Sequence, residues 1–253
     1  MKFDDLDQRM RALERFHALR LEEGIFPIVR VDGRNFSRLT EEKFEKPFDP
    51  RFHAAMLKSA EALLRETRAL YAYTESDEIS LLCPRTWDFF DREQEKIVSV
   101  TASIATAAFT LELGCPAVFD SRLIAAPDEA TAIDYFRWRQ ADATRCALNG
   151  WAYWTLRKAG KSVEAATREL DSRTVEDKKE ILRSAGVDFD ARPGWERRGT
   201  GLYWEGIEKE GWNPKLQKKE IARRQRVRVD EDLPLGAAYG QLLRTFLGWT
   251  VGL

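Results

Sequence analysis

The sequence predicts an α+β fold of the ferredoxin-like type, in which long helices cover one antiparallel sheet. Four short β-rich runs lie in the first half of the 253-residue chain. Long amphipathic helical patterns separate these runs, and the resulting order is β-α-β-β-α-β. The second half is mainly helical in pattern. We therefore predict a core over residues 1–127 and a helical C-terminal extension over residues 128–253.

The elements of the core follow in order along the first half. Apolar residues at three- and four-residue steps predict a first helix over residues 4–23. A strand over residues 28–31 comes next, and a polar segment separates it from a long helix over residues 50–69. The remaining predicted elements are strands at residues 71–74 and 79–82, a helix over residues 92–113 and a strand over residues 119–125.

The second half predicts three helices and a strand, over residues 129–158, 162–170, 175–185 and 201–204 respectively. A basic stretch follows over residues 215–229, where seven lysines and arginines stand against one glutamate. Such a stretch fits two structures equally well. It is either a contact for an RNA backbone or the solvated face of an amphipathic helix.

The composition narrows the functional classes. The formal net charge is −1, so the chain as a whole is not an electrostatic binder of nucleic acid. Three cysteines without any C-x-x-C spacing argue against a disulfide framework or a zinc ribbon and favour a reducing cytoplasm. Only His17 and His53 could supply imidazole. Carboxylate chemistry with a hard metal ion is therefore favoured over histidine chemistry.

The sequence gives no sign of a membrane or export segment. Residues 1–10 are polar and acidic, unlike a signal peptide. We find no apolar run that approaches the roughly 18 residues needed by a membrane helix. These features predict a soluble, cytoplasmic protein.

Acidic residues follow two of the predicted strands. The strand at residues 28–31 ends on Asp32 and Gly33, and the strands at residues 71–82 turn through Ser76, Asp77 and Glu78. Paired carboxylates are ligands for two Mg²⁺ ions in phosphoryl transfer. Each motif alone is also compatible with an ordinary turn. Together, in this order of elements, they predict a metal site built on Asp32, Asp77 and the carbonyl of Gly33.

Six motifs in the same order resemble the tRNA-histidine guanylyltransferase family, above all its bacterial-type relatives that repair tRNA 5′ ends. They read IVRVDGRNFS, TESDEIS, FDSRLI, YFRWRQAD, EDKKEIL and RRGTGLYW, and they span residues 26–204. The resemblance implies a palm-type core of the reverse, 3′–5′ polymerase class. It also implies a homo-oligomer, dimeric or tetrameric, with tRNA and nucleoside triphosphates as partners.

The resemblance implies an enzyme, a tRNA nucleotidyltransferase that adds nucleotides to the tRNA 5′ end with two Mg²⁺ ions and with GTP and ATP as substrates. Asp32, Asp77 and Glu78 match its catalytic positions, and Asp32, Gly33 and Asp77 match its metal ligands. The remaining matched positions contact nucleotide or lie near the RNA end: Arg34, Asn35, Phe36, Ser37, Lys46, Asp49, Ser76, Arg92, Lys96 and Lys178. Arg92 and Lys96 also fit a solvated helix face, one turn apart.

One segment departs from the family pattern. After the WRQAD motif, eukaryotic guanylyltransferases carry His-x-Asn-Asn, and bacterial relatives carry His-Arg-Asn-Ala-Leu-Asn. Here Thr144 replaces the histidine and Cys146 replaces an asparagine. The change argues against ATP activation of a 5′-monophosphate and favours template-dependent repair of truncated tRNA.

Two other functions remain compatible with the sequence. The same order of elements occurs in nucleotide cyclases and signalling-nucleotide synthetases, and fold alone does not choose among these activities. A non-catalytic RNA-binding relative is the other alternative. The presence of Asp32, Asp77 and Glu78 argues against it, whereas Thr144 is compatible with it.

Overall fold

The computed structural model describes residues 3–213 and 217–248, and its strands form one antiparallel sheet. In the described residues the sheet has six strands in the order β4-β1-β3-β2-β5-β6. The α+β class is confirmed, and the core elements follow one another as predicted. The strands are β1 (Phe26–Gly33), β2 (Tyr71–Glu75), β3 (Glu78–Leu82), β4 (Phe119–Ala126), β5 (Thr200–Asn213) and β6 (Lys218–Asp230).

Helices cover both faces of this sheet. Several begin at side-chain caps: Asp49, Asp128, Ser162 and Thr174 each accept a hydrogen bond from a first-turn amide. The helices are α1 (Phe3–Arg11), α2 (Phe36–Lys43), α3 (Pro50–Thr67), α4 (Gln94–Leu113), α5 (Glu129–Lys158), α6 (Val163–Leu170), α7 (Val175–Ser184), α8 (Gly194–Arg198) and α9 (Gly236–Leu247).

The alternation of side chains along the strands builds two cores. Val29, Val31 and Ile79 point to the face that α3 and α4 cover, whereas Ile28 and Tyr71 point to the face that α5 and α9 cover. All five are fully buried. Burying an aliphatic side chain of this size contributes about 1.5–3 kcal/mol. The two cores therefore fix the register that carries the acidic strand ends.

Near the ends of the chain, the predicted extent of the first helix is wrong, and one of the two alternatives for the basic stretch is excluded. The first helix ends at Arg11, not at residue 23, and no residue of α1 is buried. Its apolar residues Phe3, Leu6 and Met10 are exposed, so within the described part of the chain no packing supports a longer helix. The basic stretch is a strand, β6, and not a helix; Lys215 lies outside the described residues. The C-terminal extension is thus not wholly helical, because β5 and β6 form a long hairpin that joins the sheet through β2.

Helices α2, α8 and α9 were not predicted. Helix α4 also corrects the prediction about apolar runs, because by length and composition it is apolar enough to cross a membrane. In the structure it packs on α3, β4 and β1, and it buries Ile97, Ala105 and Phe109. Its remaining faces are rich in alanine, serine and threonine, and no charged residue lies between Lys96 and Glu112, so the run is uncharged without being a core sequence throughout.

Candidate active site

The fold brings the two acidic motifs together at one edge of the sheet. Asp32 is the cross-strand partner of Glu78, at the end of β1 and the beginning of β3. The backbone amide of Gly33 donates to the carbonyl of Asp77 over 3.0 Å. Ser76 and Asp77 form the turn between β2 and β3. The predicted metal-ligating residues are therefore neighbours in the structure.

Asp77 is poorly compensated by protein charges. Burial, together with the nearby charge of Asp32, raises its pKa to about 6. Ser76 Oγ donates to Asp77 Oδ1 over 3.1 Å and offsets only part of this effect. A buried carboxylate beside a second carboxylate is suited to a divalent cation, which would relieve the repulsion. The donor set of Asp32, Asp77 and the Gly33 carbonyl thus fits Mg²⁺. Among the described residues no group of three or more His, Cys, Asp or Glu side chains is arranged to hold a metal.

Gly33 allows the close approach of the next turn of chain. A Cβ at this position would lie 2.5–2.8 Å from three ring atoms of Phe36. The Phe36 ring is buried among Phe52, Phe109 and Phe119, with centroid distances of 4.9–5.9 Å, so it has no space to retreat. Phe36 therefore anchors the predicted phosphate-binding segment in the core and can offer a ligand only its backbone.

We expect Gly33→Ala to lower the stability by about 1–3 kcal/mol, as overpacking does, and to lower nucleotide binding through displacement of residues 33–37. Gly206→Ala is the matched control, because a Cβ there meets nothing within 4 Å. Urea unfolding and titration with Mg²⁺–GTP measure both effects. Equal behaviour of the two variants would contradict this account.

The segment after Gly33 turns into α2. Asn35 has a φ of 61°, which suits asparagine, and it precedes the first helical residue, Phe36. The amides of Gly33 and Arg34 bond to Asp77 and Val118, and so they are not available to a phosphate. The amides of Phe36 and Ser37 lie in the first turn of α2, where N–H groups have no partner within the helix. The predicted cradle is thus narrower than residues 33–37 and centres on this first turn.

Glu78 is held inside the protein. Arg139 Nε and Nη2 donate to its two oxygens over 2.7 and 2.5 Å, and Arg30 Nη2 lies 2.7 Å from Oε2. Glu78 is 4% exposed. Its neighbour Glu75 has its pKa raised to about 8, first by burial and then by the charge of Glu78. Glu78 is therefore an anchor between two arginines rather than an open ligand.

A pocket beside the acidic turn contains Lys46 and Asp49. It is lined by Thr40, Phe44, Glu45, Lys46, Pro47, Phe48, Asp49, Phe52, His53, Thr74, Glu75, Ser76 and Trp195. Burial lowers the pKa of Lys46, while the charges of Glu41 and Asp77 partly counteract this. Lys46 Nζ donates to Thr40 Oγ1 over 2.5 Å. A partly buried ammonium group that lines a pocket and interacts with the charge of Asp77 is suited to a bound phosphate group.

Asp49 is occupied as a helix cap. Its Oδ1 accepts from the amide and Nε of Arg51 over 2.8 and 3.1 Å, and its Oδ2 accepts from the amide of Glu45 over 2.9 Å. The hydrogen bonds from Arg51 are the main reason that its pKa falls to about 2. Asp49 lines the pocket, but both of its oxygens already have donors.

We expect Asp49→Ala to lower the free energy of unfolding by about 2 kcal/mol at pH 7. A carboxyl whose pKa is lower in the folded state stabilises above the unfolded value, near 3.8. This contribution disappears as the pH falls from about 4 to 2, so the two proteins should converge there. Urea titrations across this range test the prediction. Asp128→Ala, which removes an exposed cap, should show a smaller loss.

Arg92 and Lys96 lie near the start of β1, at the opposite end of the strand from Asp32. Arg92 donates to the carbonyls of Leu21, Glu22, Arg85 and Trp87, where β1 begins and β3 ends. Lys96 pairs with Glu93 over 3.3 Å. Helix α4 starts at that end of the sheet and runs toward β4, so its first turn is far from Asp32. The sequence match alone did not show which end of the sheet this helix approaches.

Lys178 lies in a second, basic cleft on α7. Thr144 and Arg145 of α5 line the same cleft, as do Arg197 and Arg198. The two positions that depart from the family pattern differ in location. Thr144 lines the cleft and donates to the carbonyl of Gln140. Cys146 does not line it, and its Sγ lies 3.4 Å from Arg145 Nη2.

Sequence reasoning missed the arginines of the site. Arg30 lies 3.2 Å from Asp32 Oδ2, and Arg122 lies 3.8 Å from the same atom. The motifs IVRVD and FDSR, which were assigned to the resemblance, contain both residues. The available signal was the two-residue spacing of Arg30 and Asp32, which places both side chains on the same face of the strand.

Comparisons with known proteins give a consistent result. The family model for tRNAHis guanylyltransferase matches residues 7–127, and the model for the Thg1 C-terminal domain matches residues 130–233. A relative from Debaryomyces hansenii, a tRNA(His) guanylyltransferase, is 31% identical over 81% of this chain and 80% of its own. A mouse relative, a probable tRNA(His) guanylyltransferase, is 32% identical over 72% of this chain. The chain spans 65% of the length of the mouse and bovine relatives.

Solved structures agree in fold over nearly the whole chain. A bacterial guanylyltransferase-like protein in complex with GTP superposes with a TM-score of 0.76 at 26% identity, covering 97% of this chain and 100% of its own. The complex of such a bacterial protein with ATP gives a TM-score of 0.75 at 26% identity, with 96% and 100% covered.

Proposed function

Because this chain belongs to the tRNAHis guanylyltransferase family, we propose that it is a Mg²⁺-dependent nucleotidyltransferase that extends tRNA 5′ ends in the 3′–5′ direction. The single observation that carries this proposal is the meeting of Asp32, Gly33 and Asp77 beside a pocket that contains Lys46. GTP and ATP are the proposed nucleotide substrates. Residues 1–127 form the palm-type core in this proposal, and residues 128–253 supply RNA-contact and oligomer surfaces.

The residues of the site have distinct tasks in this reaction. Asp32, Asp77 and the Gly33 carbonyl would hold Mg²⁺, which would supply activation of a 3′-hydroxyl and stabilisation of the charge on the leaving pyrophosphate. The first-turn amides of α2 and the ammonium of Lys46 bind the triphosphate of the incoming nucleotide. Burial of Asp77 and Lys46 lowers the local dielectric, in which these charges act more strongly.

The RNA binds across the second cleft and the basic hairpin. The cleft on α7 presents Lys178, Arg197 and Arg198 toward a shared volume. Strand β6 carries Arg223 and Arg226, which pair with glutamates on β5. Such an interface predicts affinity that falls steeply with salt. Homo-oligomeric assembly, as a dimer or tetramer, is part of the proposal.

The replacement at Thr144 favours repair over activation of a monophosphorylated end. Thr144 lines the cleft with Lys178, and its hydroxyl is bonded within α5. We expect Thr144→His to gain ATP-dependent activation of 5′-monophosphorylated tRNA, because imidazole adds a proton-transferring group. Release of pyrophosphate from ATP in single-turnover assays measures this gain. Thr174→His, a change at another threonine of the cleft, is the control. Equal gains in both variants would contradict a specific role for position 144.

A direct assay tests the proposed function. The protein is incubated with Mg²⁺, the four nucleoside triphosphates and a 5′-triphosphorylated tRNA that lacks its first nucleotide. We expect extension by the nucleotide complementary to the template base. A nucleotide product formed without RNA would instead support a cyclase or synthetase. RNA binding without any product would support a non-catalytic relative.

A further inference from the structure

A chain of ion pairs connects the carboxylate site with helix α5. Arg30 Nη2 lies within 3.2 Å of Asp32 and 2.7 Å of Glu78. Arg139 donates to both oxygens of Glu78. Its third nitrogen, Nη1, donates to Asp142 Oδ2 over 3.2 Å. One arginine therefore joins a carboxylate on the sheet to a carboxylate one helical turn further along α5.

The series of ion pairs continues into the second cleft. Asp142 Oδ1 accepts from Arg145 Nε and Nη2 over 3.1 and 2.6 Å. Arg145 and its neighbour Thr144 line the cleft together with Lys178. The ion pairs thus run without a break from Asp32, at the proposed metal site, to the wall of the basic cleft.

Arg139 is suited to fix the distance between helix α5 and strand β3. It is 4% exposed, and its planar guanidinium is fixed by two oxygens of Glu78 and by packing 4.6 Å from the centroid of the Trp138 ring. Ser80 Oγ donates to the same Glu78 and also lies 3.1 Å from Tyr135 Oη on α5. Movement of α5 relative to β3 would break these buried charged contacts together.

We propose that Arg139 and Asp142 are positioning residues that hold the carboxylate site and the Thr144–Arg145 wall of the basic cleft at a fixed separation. This inference rests on the proposed function, in which nucleotide binds at the first place and the RNA end at the second. Transfer between two bound groups requires near-contact of the reacting atoms, and displacement by about 1 Å costs up to roughly 100-fold in rate. Neither residue needs to touch substrate to act in this way.

Kinetics of Arg139→Lys, Asp142→Asn and the double variant test the proposal in the extension assay. We expect each single variant to lower kcat roughly 10- to 100-fold and to leave KM for the nucleotide within about threefold. The double variant should lose about as much as Arg139→Lys alone, because the two residues act as one unit. Asp134→Asn is the control, since Asp134 pairs with Arg137 on the same helix without reaching the sheet. Urea midpoints identify any variant that fails to fold.

Hydrogen exchange provides a readout that does not depend on activity. Asp142→Asn should speed the exchange of amides in the turn at residues 75–78 severalfold, and Asp134→Asn should leave them unchanged. Unchanged exchange in that turn, an unchanged kcat or additive losses in the double variant would overturn the proposal. Extension by no variant, including the unmodified protein, would contradict the proposed function, and the exchange result would still decide whether the two places are linked.

Discussion

Asp77→Asn is expected to lower nucleotide addition by on the order of 10³-fold or more, without a loss of stability. In the proposed reaction, the substitution removes a carboxylate that would hold the charge-stabilising ions. The same carboxylate contributes little to folding in its ionised form, because burial and Asp32 raise its pKa to about 6. When the pKa of an acidic group is higher in the folded than in the unfolded state, ionisation of that group destabilises the folded state as the pH rises. At pH 7.5 the amide should therefore fold at least as well.

Three measurements separate these effects for Asp77→Asn. Single-turnover extension gives the rate, urea unfolding without metal gives the stability, and a Mg²⁺-induced shift in melting temperature reports binding. We expect the shift in the unmodified protein and its loss in the variant. Asp91→Asn is the control, because Asp91 is an exposed turn aspartate at the other end of the sheet. Full activity of Asp77→Asn would remove Asp77 from the site.

The parts of the fold that were predictable are those with a strong period. Strands β1 and β3 and helices α3 and α5 have apolar faces and clear end signals, such as Asp49 before α3. Strand β6 lacked this signal. Only residues 200–203 of β5 pair with β2, and past them most side chains of the β5–β6 hairpin are exposed. A strand without a buried face has no alternation to read. The first helix shows the converse, since the apolar residues of the helical pattern from Leu6 to Leu19 are exposed and cover no surface among residues 3–213 and 217–248.

The site shows the same division between local and distant information. The carboxylates at Asp32 and Asp77 were predictable, because strand ends and turns are local features. The partners of Glu78 were not, because Arg139 is 61 residues away in sequence and meets it only through packing of α5 on the sheet. The surroundings of Arg92 were not predictable for a related reason: its carbonyl partners belong to loops whose position depends on the whole fold.

The opposite balance is expected for Glu78→Gln, which should destabilise the protein by about 3–5 kcal/mol. The glutamine would leave Arg30 and Arg139, both little exposed, without the charge that they share. Arg30 would keep Asp32 and Arg139 would keep Asp142, but each would lose its closest carboxylate inside the protein. We expect this loss of charge compensation to appear in urea unfolding. Glu205→Gln is a matched control, because Glu205 also sits between two arginines, Arg226 and Arg228, but on the exposed hairpin.

Little change is expected for Glu205→Gln, because solvent screens such surface pairs. The comparison distinguishes two accounts of Glu78. If Glu78 is mainly a metal ligand, Glu78→Gln should unfold like the unmodified protein and lose only its Mg²⁺ response, as Asp77→Asn should. If Glu78 is the anchor seen in the structure, the free energy of unfolding of Glu78→Gln should be lower than that of the unmodified protein. Activity per folded molecule should then fall as well, because Arg30 also contacts Asp32 and would no longer be held in place. Measuring activity at a urea concentration where both variants stay folded separates the two contributions.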